Sequence, residues 1–198
     1  MFRILPSLAV VVLSSAIAVG IPVGSIAADN EFAEPLTALA QGQLREIAQS
    51  GELVAAIIAQ NAASAGYDQA KIDALDAQWR AEVDAAAKPL IDATMGNAAS
   101  QYLVGVQNDS AGLFTELFAT DAMGLNVAQS TVTSDYWQGD EEKFTGSFGV
   151  GPDGIVLGEV EEDESTQTFQ SQVSITITDP ATGAPIGSIT AGVDVSML

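Results

Sequence analysis

Hydrophobic periodicity changes once along this 198-residue chain, at about Asp109, and that change limits the possible folds more than any other feature. Before it, apolar residues recur every three or four positions. Leu36, Leu39, Ala40, Leu44 and Ile47, then Leu53, Val54, Ile57 and Ile58, predict helix over residues 34–64. Gln49-Ser50-Gly51 is either a joint or an interruption that one long helix absorbs at about 1 kcal/mol for the glycine. Ala65-Gly66 reads as a stop. Ile72, Leu75, Trp79 and Val83 make a second stripe within residues 68–94, with Asp73, Asp76, Arg80 and Glu82 mostly off it. Trp79 on such a stripe is a core residue. Pro89 ends or kinks this helix, and Leu90, Ile91 and Met95 begin a further one towards Tyr102, Leu103 and Val106.

After Asp109, short β-like runs alternate with turn residues. Strands are expected over 112–119, 125–129, 144–150 and 155–157, with a turn at Thr120–Gly124 and another at Gly151-Pro152-Asp153-Gly154. Glu159–Glu164 reads as an acidic connection. Val173, Ile175 and Ile177 alternate with polar residues in Thr168–Thr178, and the loop Asp179–Gly183 returns the chain into Ile186–Val195. Helices first and closely spaced strands second predict an α+β fold, with long N-terminal helices packed on a PAS-like antiparallel sheet. One domain is expected over 28–198, mainly helical over 28–108 and mainly β over 109–198.

Residues 1–27 have the form of a secretory signal peptide. Arg3 opens the segment, Leu8–Val12 and Ile17–Val19 lie in an uncharged run, and Ser25-Ile26-Ala27 supplies small residues for cleavage. An uncleaved N-terminal anchor is the alternative, because no charge stands between Arg3 and Asp29. Either form places the remainder outside the cytoplasm, in a periplasm, with no further membrane span expected after cleavage.

Charge and residue types remove whole classes of chemistry. Six Lys and Arg face 26 Asp and Glu, a formal net charge of −20, which is the wrong sign for displacing counterions from nucleic acid. Without cysteine there is no thiolate nucleophile, disulfide or thiolate metal site, and without histidine there is no Ser-His or Cys-His hydrolase. Oxygen-ligand calcium or magnesium sites remain open. The run Glu159–Glu164 lacks the acid spacing and central glycine of an EF-hand loop, so it reads as a solvated charge run. No cofactor is expected, and paired carboxylates without marked spacing make a carboxylate hydrolase a weak alternative.

Ser130–Phe144 holds the residues that point to binding. It contains Tyr136 and Trp137, four acids (Asp135, Asp140, Glu141, Glu142) and Lys143, the one cation after position 100. Aromatic faces beside carboxylates can receive a cation, a group of hydrogen-bond donors or a metal. A surface turn with a packed Trp is the plainer alternative. In a regular strand Tyr136 and Trp137 face opposite sides, so one of them alone lines a pocket.

The strings FATDAMGLNVAQ (Phe118–Gln129), TSDYWQGDEEKF, DESTQ (Asp163–Gln167) and QVSITITDPATGAPIGSITAGVDVSML resemble extracytoplasmic Cache, or PDC-type, sensor domains. TSDYWQGDE is most similar to the periplasmic single-Cache subgroup. The resemblance runs from about Leu36 to the C-terminus and is strongest after Phe118. It implies a PAS-like sheet behind a long N-terminal helix, and a small ligand (amino acid, carboxylate or amine) held against the sheet under the loop after the second strand. The ligand-binding positions so implied are Ser130, Asp135, Tyr136, Trp137 and Asp140. It also implies a non-enzymatic role in signal transduction.

Receptors of this kind carry a second span and a cytoplasmic output module, whereas this sequence ends at Leu198 just after its last strand. The expectation is therefore a ligand-binding domain that passes occupancy to a partner, a membrane sensor or transporter. A carboxylate ligand needs a cation, and Lys143 is the nearby one unless Arg45 or Lys88 reaches in, so the charge pattern favours an amine or other cation. The alternative is a protein-interaction module with a vestigial pocket.

Overall fold

The computed structural model describes residues 31–163 and 168–198. The expected signal segment 1–27 and the 164–167 part of the DESTQ string lie outside the described residues. The fold is α+β: helices occupy residues 33–109, and a five-stranded antiparallel sheet follows.

Helix α1 (Ala33–Leu39) passes through a π-helical turn (Ala40–Leu44) into α2 (Arg45–Ala48). The Gln49-Ser50-Gly51 interruption is a true joint. Ser50 is extended, and its hydroxyl accepts from Leu53 N–H to open α3 (Gly51–Ser64). Asp68 caps α4 (Gln69–Val83) in the same way. Pro89 neither ends nor kinks α4, which stops at Val83; it starts α5 (Pro89–Gly96), where its missing N–H costs nothing. Asn97 caps α6 (Ala98–Asp109) and also donates to Val127 O at 2.8 Å, tying that helix to the sheet.

The strands are β1 (Phe114–Asp121), β2 (Asn126–Gln129), β3 (Ile155–Asp163), β4 (Thr168–Thr178) and β5 (Pro185–Asp194), in spatial order β2-β1-β5-β4-β3. The register puts Leu117 and Val173 beside Ala191, and Ala119 and Ile175 beside Ile189. These side chains form one face, and Leu36, Leu44, Leu53, Ile57 and Leu103 of the helices pack on it. The opposite face is also buried but carries hydroxyls: Thr120 meets Ser188 at 2.8 Å and Ser174 meets Thr190 at 2.9 Å, both as direct cross-strand pairs. Their mutual hydrogen bonds are what make a polar face tolerable inside the protein.

Two expected elements are corrected. Residues 144–150 are not a strand. They form a short helix α7 (Glu142–Thr145) and a 3₁₀ turn (Phe148–Val150), in which Phe144 and Phe148 stack 5.1 Å apart at helical spacing. Nor is Glu159–Glu164 merely a connection. As far as Asp163 it continues β3, pairing Val160 with Ser171 and Glu162 with Phe169. The acids suit an edge strand, where charge discourages further pairing.

Candidate functional site

Residues 130–141 lie along α4 and are fastened to it by several side chains. Trp79 is fully buried, donates from Nε1 to Thr133 O at 2.8 Å, and stacks on Tyr136 with ring centroids 5.2 Å apart. One turn earlier, Asp76 Oδ1 accepts from the backbone N–H of Tyr136 (2.9 Å) and of Trp137 (3.1 Å). Asp76 Oδ2 accepts from Arg80 Nε at 2.7 Å. Arg80 Nη2 then reaches Asp135 Oδ2 at 3.3 Å. Burial pushes the Asp76 carboxyl up, but the hydrogen bonds from Arg80, Tyr136 and Trp137 outweigh it and hold the group below the ordinary 3.8. Arg80 is pushed up by its hydrogen bond and charge contact with Asp76, with Asp135 and Asp140 adding to this.

The β1–β2 turn supplies the loop's other support. Asp121, fully buried, accepts from Met123 N–H and Leu125 N–H through Oδ1, and from Ser64 and Gln60 through Oδ2. Gly124 has φ +80°, a conformation suited to glycine, and a Cβ there would stand 2.5 Å from Gly139 Cα. Two glycines are what allow this turn and the loop to touch. Trp137 Nε1 donates to Met123 O at 2.9 Å across the contact, and Leu125 and Trp137 form an isolated antiparallel bridge.

Between α4 and the loop lies a cleft of about 420 Å³. Its walls carry Asp73, Asp76 and Arg80 from the helix and Asp135, Trp137, Asp140 and Glu141 from the loop. Five carboxylates thus surround one guanidinium and one indole, an arrangement that attracts a cation. A groove of similar size, about 430 Å³, runs between α1 and β3, but Glu34 is the one charged group on it. It lacks the convergent polar groups of a specific site. Among the described residues, no cluster of three or more His, Cys, Asp or Glu is arranged to hold a metal ion.

Of the five residues singled out in the sequence, Asp135, Trp137 and Asp140 line this cleft. Ser130 and Tyr136 do not. Ser130 is buried and exchanges hydrogen bonds with Leu117, its Oγ accepting from Leu117 N–H at 2.8 Å. Tyr136 points into the packing under the loop, where burial, then the nearby Asp121 and Tyr67, against an opposing hydrogen bond from Gln60, pushes its phenol up to about 12. The two aromatics therefore divide, one inward and one to the cleft.

The cation supply also differs from the sequence reading. Arg45 donates to Thr176 O at 2.9 Å, Lys88 to Val83 O, and Lys143 pairs with Glu141 at 2.8 Å. Arg80, read from the sequence only as lying off the apolar stripe, is the cation in the cleft. Asp73, Asp76 and Arg80 at positions i, i+3 and i+7 form one stripe of α4, and that spacing was the available signal.

No protein-family model matches the chain, and no curated protein matches it. Solved structures similar to it include the sensor domain of the V. cholerae histidine kinase DctB, at 14% identity and TM-score 0.46, covering 83% of this chain and 54% of that one. The ligand-binding domain of the Pseudomonas aeruginosa PAO1 amino acid chemoreceptor PctC, in complex with GABA, is similar at 11% identity and TM-score 0.40, covering 81% and 62%. The sensory domain of the Campylobacter jejuni chemoreceptor Tlp3 with isoleucine bound is similar at 10% identity and TM-score 0.37, covering 84% and 64%. The chain thus spans a little over half to about two thirds of the length of these domains.

Proposed function

We propose that the chain is a periplasmic, single Cache-like sensor domain that binds a small cationic molecule and passes occupancy to a signalling partner. The cleft between α4 and residues 134–141 carries this reading: its five carboxylates, one indole and single arginine are a poor host for an anion and a good one for an amine. The fold supports it, because the cleft joins the helical half, through α4, to the loop that connects β2 with the later strands. A ligand there touches both, and its differential affinity for two arrangements of helix and loop is the free energy available for signalling. A membrane sensor or transporter is the kind of partner that would read such a change. Binding, not turnover, is the role that these groups serve.

The test is thermal unfolding of the purified protein with amines, amino acids, organic acids and calcium. A ligand at about a hundred times its dissociation constant adds about 2.7 kcal/mol of stability. Stabilisation by amines, reduced in Trp137→Ala and Asp140→Ala, is the expected result. Stabilisation by organic acids alone would keep a sensor but overturn the charge argument. No shift with any compound would transfer the weight to a protein-interaction module.

A further inference from the structure

The 130–141 segment is held on two sides, and the second hold leads to a different helix. On the first side, Asp76 and Trp79 fasten it to α4. On the second, Gln138 N–H donates to Gly124 O at 2.8 Å and Asn126 N–H to Tyr136 O at 2.9 Å. Trp137 Nε1 adds its bond to Met123 O. A displacement of the segment therefore pulls on residues 123–126.

Those residues are gripped from behind by the last two turns of α3. Ser64 Oγ donates to Asp121 Oδ2 at 2.8 Å. Gln60 Nε2 lies 3.3 Å from Asp121 Oδ2, 3.3 Å from Leu125 O and 3.2 Å from Asn126 O. Asn61 Oδ1 accepts from Ala122 N–H at 2.8 Å, and its Nδ2 donates to Ile186 O at 2.7 Å. Asp121 divides its two oxygens between the partners. Oδ1 holds the turn through the N–H groups of Met123 and Leu125, both at 2.9 Å, and Oδ2 holds α3. Asp121 is fully buried, so a donor that leaves it is not replaced by bulk water, and turn and helix are driven to move together. Gln60 has two N–H bonds for three acceptors. It can follow a small shift of the turn by changing acceptor without letting go.

We propose that this polar joint couples the 130–141 segment to α3, so that displacement of the segment is delivered to the last two turns of that helix. The inference goes beyond the binding reading. It needs no ligand, holds for whatever moves the segment, and names the part of the helical half that registers its position. The other end of α3 is the joint at Gln49-Ser50-Gly51, where a displacement can be taken up as a pivot.

The test is amide hydrogen exchange by NMR on the purified, ligand-free protein. Asp76→Ala, on α4, frees the segment from its other side. Exchange at the N–H groups of residues 60–64 should then accelerate about tenfold more than at Val173–Ile177 of β4, which report global loss of stability; tenfold corresponds to loosening about one hydrogen bond. Asp76→Asn, the milder release, serves for the same comparison if the alanine variant does not fold. Coupling is reciprocal. Ser64→Ala, which removes a donor from Asp121 Oδ2, should therefore accelerate exchange at Gln138 N–H relative to the same β4 groups. Release of the segment that speeds exchange within 130–141 but leaves residues 60–64 level with β4 would overturn the inference, as would Ser64→Ala with Gln138 level with β4. Either failure leaves the cation-binding reading standing, because no ligand enters the measurement.

Discussion

Replacing Asp76 with alanine removes the acceptor that fastens the candidate loop to α4. Its Oδ1 serves the N–H groups of Tyr136 and Trp137 at 2.9 and 3.1 Å, and its Oδ2 serves Arg80 at 2.7 Å. The Arg80 pair contributes little, about 0–1 kcal/mol, because the Arg80 side chain is 55% exposed. Hydrogen bonds to a charged group contribute about 1.5–3 kcal/mol each, but the two N–H groups share one oxygen and regain water at the cleft wall. The expected loss is therefore at the lower end, about 2–3 kcal/mol, or roughly 4–12 °C in melting temperature for a domain of this size. Asp76→Asn keeps an oxygen but not the charge, and should lose about 1 kcal/mol. The sign with pH follows from the lowered carboxyl: its stabilisation is present above the ordinary 3.8 and lost as pH falls through the folded-state value. Urea unfolding of wild type and Asp76→Ala across that range should show midpoints that differ at neutral pH and converge in acid. Equal midpoints at pH 7, or a difference that persists unchanged in acid, would refute the latch.

Trp137→Ala should weaken binding of a cationic ligand by about 0.5–2 kcal/mol in calorimetry while leaving the circular dichroism spectrum unchanged. Gly139→Ala places a Cβ 2.7 Å from Trp137 Cε2 and 2.9 Å from Met123 O, so the indole must leave its carbonyl; a stability loss of about 1–3 kcal/mol and a shift in Trp fluorescence should follow. Glu82→Gln should lower stability at neutral pH. Burial pushes the Glu82 carboxyl up, but hydrogen bonds from Gln78 and the Ile91 and Leu90 N–H groups hold it below the ordinary 4.5, so the difference from wild type should vanish as pH falls through that region. Leu103→Ala, in the helix–sheet core, should cost about 2–5 kcal/mol by denaturation without altering ligand selectivity.

Much of this architecture was legible because single residues imposed it. The helical stripe beginning near Asp68 and the break at Gln49-Ser50-Gly51 were visible in the sequence, and Val173, Ile175 and Ile177 show the buried face of β4 by period alone, whereas the Asn97 cap was not read. What was hidden depends on partners distant in sequence. Phe144–Val150 has β-like composition, yet Phe144 and Phe148 meet as a helical pair, and no local pattern distinguishes the two outcomes. The acids of β3 look like a linker until β4 sets Gln170, Phe169 and Thr168 opposite Glu161, Glu162 and Asp163. Within the site, Asp135, Trp137 and Asp140 were legible as an acid–aromatic cluster in one segment. Asp76 and Arg80 were not, because they join it from 55–61 positions away.

The same distance bears on the sensor role proposed for the cleft. A site built within one loop would respond to ligand without involving the rest of the fold. Here one wall belongs to α4 and the other to the segment between β2 and β3, and Arg80 already bridges them as the protein's own cation. A ligand that competes for Asp135 must loosen that bridge, whereas the Asp76 contacts to Tyr136 and Trp137 can persist. On the proposed reading, occupancy would change the attachment of loop to helix at one edge and preserve it at the other, a rotation about the Asp76 contacts rather than a release. Since the Arg80–Asp135 pair is solvent-exposed and weak, it opposes this motion by about 1 kcal/mol or less, and a ligand of modest affinity suffices to drive it.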